Sequence, residues 1–150
     1  MQTLVKLIDN EEAMVAFGEQ LGRLLAIYAG PLSVHLLGNL GAGKTTLTRG
    51  ILRAFGHQGA VKSPTYTLVE VYEFPARRIY HFDLYRLGDP EELEYMGIRD
   101  YFGEQNLCLI EWPERGQGVL PAPDLLVDIA VEGAGRRIQL QSEKPALLSF

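Results

Sequence analysis

Cysteine occurs once, at Cys108, so no disulfide forms within the chain and the composition fits a reducing compartment. That thiol sits in the apolar run Leu107-Cys108-Leu109-Ile110, the setting of a buried, inert cysteine rather than a nucleophile. No apolar run approaches the roughly 20 residues that a membrane-spanning helix needs. The opening residues carry Asp9, Glu11 and Glu12 where a secretory signal would need an apolar core. A cytoplasmic protein is expected, with no membrane partner. An excess of positive charge is missing too. The formal net charge of −5 argues against a free-standing nucleic-acid binder, which would be basic. Repeats, low-complexity stretches and domain linkers are absent, and 150 residues suit one domain, spanning 1–150, with a real core.

What is present centres on Gly38-Asn39-Leu40-Gly41-Ala42-Gly43-Lys44-Thr45. This stretch fits G-x-x-x-x-G-K-[ST], the phosphate-binding loop. Its glycines let the backbone curl so that N–H groups point inward at an anion, and they remove the Cβ atoms that would hold phosphate away. Lys44 is expected to stand exposed to the phosphate cavity as a point charge on the β- and γ-phosphates. The Thr45 hydroxyl is expected to ligate Mg²⁺, and Thr46 completes the nucleotide-binding set. Residues 32–37 read as a short buried strand. Residues 45–55 read as a helix with Leu47, Ile51 and Phe55 on one face and Gly56 as its stop. The helix start adds its positive dipole end to the loop. Asn-Lys-x-Asp, the guanine-reading motif of GTPases, is absent, since Asn10, Asn39 and Asn106 precede Glu11, Leu40 and Leu107. That favours ATP.

Around this unit the pattern predicts a mixed sheet. Residues 4–8 form a first strand. Asp9 with Glu12 makes a capping box for a helix burying Met14, Phe17, Leu21, Leu24 and Tyr28, which Gly30-Pro31 ends. Residues 68–74 and 79–85 are strands joined by Pro75-Ala76-Arg77-Arg78, at hairpin spacing. Ile79, His81, Asp83 and Tyr85 share one face of the second, and Tyr80, Phe82 and Leu84 the other. Asp89-Pro90 caps and opens a short helix, and irregular helix continues to Phe102. Residues 107–110 are a buried strand. Residues 125–131 and 138–140 alternate across Glu132 to Arg136 as a closing hairpin. The tail, with Leu147, Leu148 and Phe150, packs on the domain, frays or meets a partner. The expected fold is α/β: a P-loop NTPase-like single domain, its parallel core extended by antiparallel hairpins and flanked by helices.

Chemistry beyond the loop falls on two acids and a hydroxyl cluster. Glu111 follows four apolar residues, which places a carboxylate at a strand's C-terminal end, beside the metal of a phosphate-loop enzyme. Asp83 ends another apolar strand and is a second such acid. Ser63, Thr65 and Thr67 cluster after Pro64 has extended Ser63. They read either as a capped loop or as a loop that senses the γ-phosphate. Trp112 reads as core or as cover for the site. His81 reads as a packed or hydrogen-bonded histidine rather than a metal ligand; His35 and His57 have no role assigned.

The set Gly-x-Leu-Gly-Ala-Gly-Lys-Thr-Thr, Ser-Pro-Thr-Tyr-Thr-Leu-Val, His-Phe-Asp-Leu-Tyr-Arg, Pro-Glu-Glu-Leu-Glu-Tyr-Met-Gly and Ile-Glu-Trp-Pro resembles the TsaE (YjeE) family over about residues 32–121. The resemblance implies a small ATPase, using ATP and Mg²⁺, for threonylcarbamoyl modification of adenosine 37 in tRNA. It implies action with TsaB and TsaD, whose complex it resets between turnovers, and contact with tRNA only through that complex. By match of motif, Lys44 and Thr45 hold phosphate and Mg²⁺, residues 63–67 form the sensing loop, and Asp83, Glu111 and Trp112 complete the site. Glu111 is then the metal-side acid and Asp83 the candidate to orient water. Glu11 and Arg136 are the candidates for adenine contacts. Two other functions use the same loop. One is a small-molecule kinase with a lid drawn from Arg86, Arg99 and Arg115. The other is a nucleotide-gated binding module with incidental hydrolysis.

Overall fold

The computed structural model describes residues 1–75 and 77–150. Its regular elements are β1 (Gln2–Ile8), α1 (Glu11–Ile27), β2 (Leu32–Leu37), α2 (Lys44–Ala54), β3 (Val69–Phe74), β4 (Arg77–Asp83), α3 (Glu91–Tyr95), β5 (Leu107–Glu111), β6 (Leu125–Glu132) and β7 (Gly135–Ser142). All these strands join one sheet in the order β1-β7-β6-β2-β5-β4-β3. Strand β2 lies parallel to β5 and β6, and β4 lies parallel to β5. The β3–β4, β6–β7 and β1–β7 pairs are antiparallel. Both expected hairpins form, on either side of a parallel centre, as expected for a P-loop NTPase-like fold.

The strands alternate between two cores. Leu32, Val34, Leu36, Leu107, Leu109 and Val127 face α1 and α2 in the larger core. Phe82, Leu84, Cys108 and Ile110 face α3 and the 3₁₀ turn Ile98–Phe102 in the smaller one. Ile79 belongs to the first core and Phe82 to the second, so β4 splits between its two faces as its sequence alternation requires. The tail packs on the domain. Leu147 is buried and the Phe150 ring stacks on Phe17 at 5.0 Å.

Helix α1 differs from expectation in two details. Its N-cap is Asn10, whose Oδ1 accepts from the Ala13 N–H at 2.8 Å. Asp9 stands one residue too early to reach that N–H, because β1 has only just ended. Leu25 is buried and Leu24 only half-buried, since the stripe steps by four residues from Leu21 rather than by three. The second expected strand ends at Asp83 and not Tyr85, and it begins with Arg77 and Arg78. Of the expected connection, Ala76 lies outside the described residues.

Two features hold α1 in place. Its glycines let it lie backbone to backbone on α2: a Cβ on Gly18 would stand 2.5 Å from the Leu47 carbonyl oxygen, and one on Gly50 would stand 2.3 Å from that of Val15. At the other end, buried Arg77 donates to the carbonyls of Leu25, Tyr28 and Gly30 and, at 2.7 Å, to that of Gln105. A cation there satisfies the free carbonyls at the end of α1 and ties the helix to the start of β4. Burial lowers the guanidinium below its usual pKa.

Candidate functional site

The phosphate loop runs from the end of β2 to the first turn of α2. Gly38, Gly41 and Gly43 all take positive φ, at 152°, 79° and 118°, a region that L side chains resist. Gly38 also admits no Cβ, because one would sit 2.8 Å from the Ile129 carbonyl oxygen on β6. Central pairing of β2 with β6 thus presses the loop from below. Leu40, at the loop's outer bend, is exposed.

Lys44 differs from the exposed side chain expected. It is only 5% exposed. Its Nζ donates to the Gly38 carbonyl at 2.6 Å and lies 3.9 Å from the centre of the Trp112 ring. Burial lowers its pKa, against the opposing pull of Glu111, Asp83 and Glu114. An ammonium held between a carbonyl and an indole face is poised beside the loop rather than free in solvent. Trp112 itself has left-handed backbone, with φ 57°, a conformation that costs an L residue about 1–2 kcal/mol. Its ring meets Lys44 on one side and Tyr85 at 5.0 Å on another. Trp112 therefore lines the wall of the cavity beside Lys44 and packs, half-buried, against the smaller core.

The two acids end neighbouring parallel strands in register, Asp83 beside Glu111, and both are buried. Asp83 accepts from the hydroxyls of Ser63 and Thr65 and from the Tyr85 N–H. Thr67 does not join them; it is exposed and its hydroxyl turns to the Val69 carbonyl at 3.4 Å. The hydroxyl cluster therefore divides, because the chain turns at Leu68, where φ is 69°. Glu111 accepts from the Thr45 hydroxyl at 3.4 Å and lies 2.6 Å from Nε2 of His81. The histidine is fully buried and hydrogen-bonded as expected, but its partner was not foreseen. The only signal for it was that His81 shares a strand face with Asp83.

A cavity of about 340 Å³ is lined by Lys44, Thr45, Ser63, Thr65, Asp83, Glu111 and Trp112. A second, of about 280 Å³, adjoins it across Gly41, Gly43 and Thr46. Its walls are the β1–α1 junction, with Glu11 and Met14, and the β6–β7 turn, with Ala134 and Arg136. Glu11 and Arg136 therefore line one cavity beside the loop. Arg136 donates to the Ala42 carbonyl at 2.9 Å, and Glu11 pairs with Arg49 at 2.8 Å. Met14 and Arg49 escaped the sequence reading, which counted Met14 as core alone. Of the candidate lid arginines, Arg86 lies over the Tyr66 ring and Arg115 over that of Tyr85, while Arg99 is exposed on a 3₁₀ turn.

Chemically, the first cavity offers an anion cradle of loop N–H groups with oxygen donors at its edge. Thr45 and Glu111 are hard ligands of the kind a Mg²⁺ ion takes. Among the described residues there is no group of three or more His, Cys, Asp or Glu that could hold a metal. A cation here would complete its shell with phosphate oxygens and water, as Mg²⁺ does at nucleotide sites.

Comparison with known proteins finds a matching family and a similar fold. The model of the family described as "Threonylcarbamoyl adenosine biosynthesis protein TsaE" matches residues 8–138. A Haemophilus influenzae protein named tRNA threonylcarbamoyladenosine biosynthesis protein TsaE is 56% identical over 142 residues, covering 93% of this chain and 90% of that one. A Bacillus subtilis protein of the same name is 38% identical over 118 residues, covering 78% and 73%. The crystal structure of Bacillus subtilis YdiB superposes with a TM-score of 0.75 at 28% identity, over 98% of this chain and 90% of that one.

Proposed function

The chain belongs to the TsaE family, and from that premise we propose that it is the Mg²⁺-dependent, ATP-binding and ATP-hydrolysing component of the machinery that makes threonylcarbamoyladenosine at position 37 of tRNA. The observation that carries the reading is the meeting of Thr45 and Glu111 at the mouth of the Gly38–Thr45 loop, with Asp83 one strand away. In this reading the loop N–H groups and Lys44 bind the phosphates, and Lys44 exchanges its bond to Gly38 for one to a phosphate oxygen. Thr45 and Glu111 would hold Mg²⁺, which when bound would supply positive charge against the phosphates. Asp83 orients the attacking water, and Ser63 and Thr65, bonded to it, register whether the γ-phosphate is present. Trp112 keeps bulk water from the phosphates. Adenine enters the second cavity, between Glu11 and Arg136.

Partners enter through the family. TsaB and TsaD are the proposed ones, with hydrolysis used to reset their complex between turnovers and tRNA met only through it. The test is phosphate release from ATP by the purified protein, alone and with TsaB–TsaD. Release without any acceptor and rising with the partners is the expected result. Release that requires a small-molecule acceptor would make the protein a kinase instead. Release that the partners leave unchanged would make hydrolysis incidental to a binding module.

A further inference from the structure

We propose that His81 is a positioning residue for Glu111, fixing which carboxylate oxygen faces the phosphate cavity. The inference rests on the reading of Glu111 as the metal-side acid and deepens it. Strands β4 and β5 run parallel with Asp83 beside Glu111. His81 stands two residues earlier on the face that carries Asp83, so its ring lies beneath the carboxylate of the adjacent strand. Nε2 reaches Glu111 Oε2 at 2.6 Å, and the histidine has no exposure to solvent. A carboxylate is an acceptor only, so the proton of this bond sits on Nε2. Nδ1 is buried and has no partner among the described residues. Among the described residues, the imidazole's one polar contact is therefore Glu111.

The same oxygen, Oε2, also receives the Thr45 hydroxyl. Oε1 accepts from no donor among the described residues, and it is the oxygen left toward the cavity that Glu111 lines. Without the imidazole, Glu111 would turn about its last side-chain torsion, which is broad and has little preference of its own. A buried hydrogen bond to an ionised group is among the stronger ones available to hold it. Outer partners of this kind alter metal affinity or activity by about 10–100-fold when removed.

The experiment compares wild type with His81→Leu, which removes the donor, and His81→Gln, whose amide N–H can reach the same oxygen. Nucleotide affinity is measured in EDTA, and Mn²⁺ binding to the ADP-loaded protein is read by electron paramagnetic resonance. Thermal melting checks folding. In the nucleotide-free protein, ¹⁵N–¹H spectra report whether the His81 Nε2 proton is shielded from exchange. The expected result is a loss of at least about tenfold in Mn²⁺ affinity for His81→Leu. Nucleotide affinity in EDTA should be unchanged, with most of the metal affinity restored in His81→Gln. Wild-type Mn²⁺ affinity in His81→Leu would overturn the proposal, and so would equal impairment of both variants, which marks a packing role alone. If His81→Leu fails to fold, His81→Gln and the spectra decide, and a freely exchanging Nε2 proton overturns it. Absence of any Mg²⁺-dependent ATP hydrolysis by the wild type with its partners would remove the parent reading and this one together. Normal wild-type hydrolysis beside an unaffected His81→Leu would remove only this one.

Discussion

Lys44, Glu111 and Asp83 bear on one cavity from three sides, and substitutions should separate their parts. Lys44→Ala should abolish productive ATP binding or turnover while the domain stays folded. Wild-type hydrolysis by a folded variant would remove the loop from the mechanism. Glu111→Gln should still bind ATP, because the loop N–H groups and Lys44 remain, but hydrolyse it poorly unless Mg²⁺ is raised. Asp83→Asn should hydrolyse poorly with Mg²⁺ dependence near normal; affinity and Mg²⁺ titrations of both variants check the division. If Glu111→Gln keeps full activity at low Mg²⁺, Asp83 becomes the metal-side acid. A residue of a different kind is His35 on β2. Its Nε2 is buried without a partner among the described residues, and burial lowers its pKa from 6.5 to about 4, with Asp124 opposing. The unfolded chain therefore takes up a proton that the folded one refuses. This contribution to stability is intact above pH 6.5 and lost as pH falls through about 4, by at most about 3 kcal/mol. Denaturant melts from pH 7 to pH 4 should show the wild type losing more stability than His35→Leu. Parallel curves would show that His35 is not the group responsible. Cys108, which burial pushes up to about 12, takes no part in this range.

Between elements, the closest contact is the crossing of α1 and α2. Gly50→Ala gains helix propensity of about 1 kcal/mol but drives a methyl group to 2.3 Å from the Val15 carbonyl oxygen, where backbone cannot yield cheaply. Overpacking onto backbone falls at the upper end of about 1–3 kcal/mol, a net loss of about 2 kcal/mol, so the variant should melt several degrees lower. Gly103→Ala is the control, with open space around its Cβ and an extended φ of −98°. Equal melting of Gly50→Ala and wild type would show that the helices are free to part. This crossing marks where the sequence stopped being legible. The phosphate loop, β2 and α2 were readable because their signals are contiguous and obey one local geometry. Asp83 and Glu111 were readable because each ends an apolar strand. A glycine inside a helix, however, reads only as a weak residue until a second helix is placed on it. Arg77 likewise read as part of a turn, since its carbonyl partners lie around the end of α1 and on the segment before β5. The bond from His81 to Glu111 depends on which strands are neighbours, and no spacing along the chain records that. Asn10 and Asp9 were equally good caps until the end of β1 was fixed.

Across the whole molecule, the sheet order decides where a nucleotide could sit. Strand β2 carries the phosphate loop at the centre, flanked by β5 and β6, so the loop opens where the strands' C-terminal ends face a shared crevice. The acids come from β4 and β5 on one side. The walls of the second cavity come from β1 with α1 and from the β6–β7 turn on the other, brought together because β1 pairs with β7. The residues lining the two cavities run from Ile8 to Arg136, so the site draws on nearly the whole chain.

That order also has a consequence during synthesis. Strand β2 leaves the ribosome long before either of its neighbours, which begin at Leu107 and Leu125. Until then a nascent chain carries the entire phosphate motif and an apolar strand with both edges open, the kind of edge that templates aggregation. Strand β1 waits longer still, for β7. The motif that is easiest to find in the sequence thus emerges before the strands that hold it in place. The two cavities are completed late and nearly together, when the last hairpin emerges, pairs with β1 and brings its turn beside the start of α1.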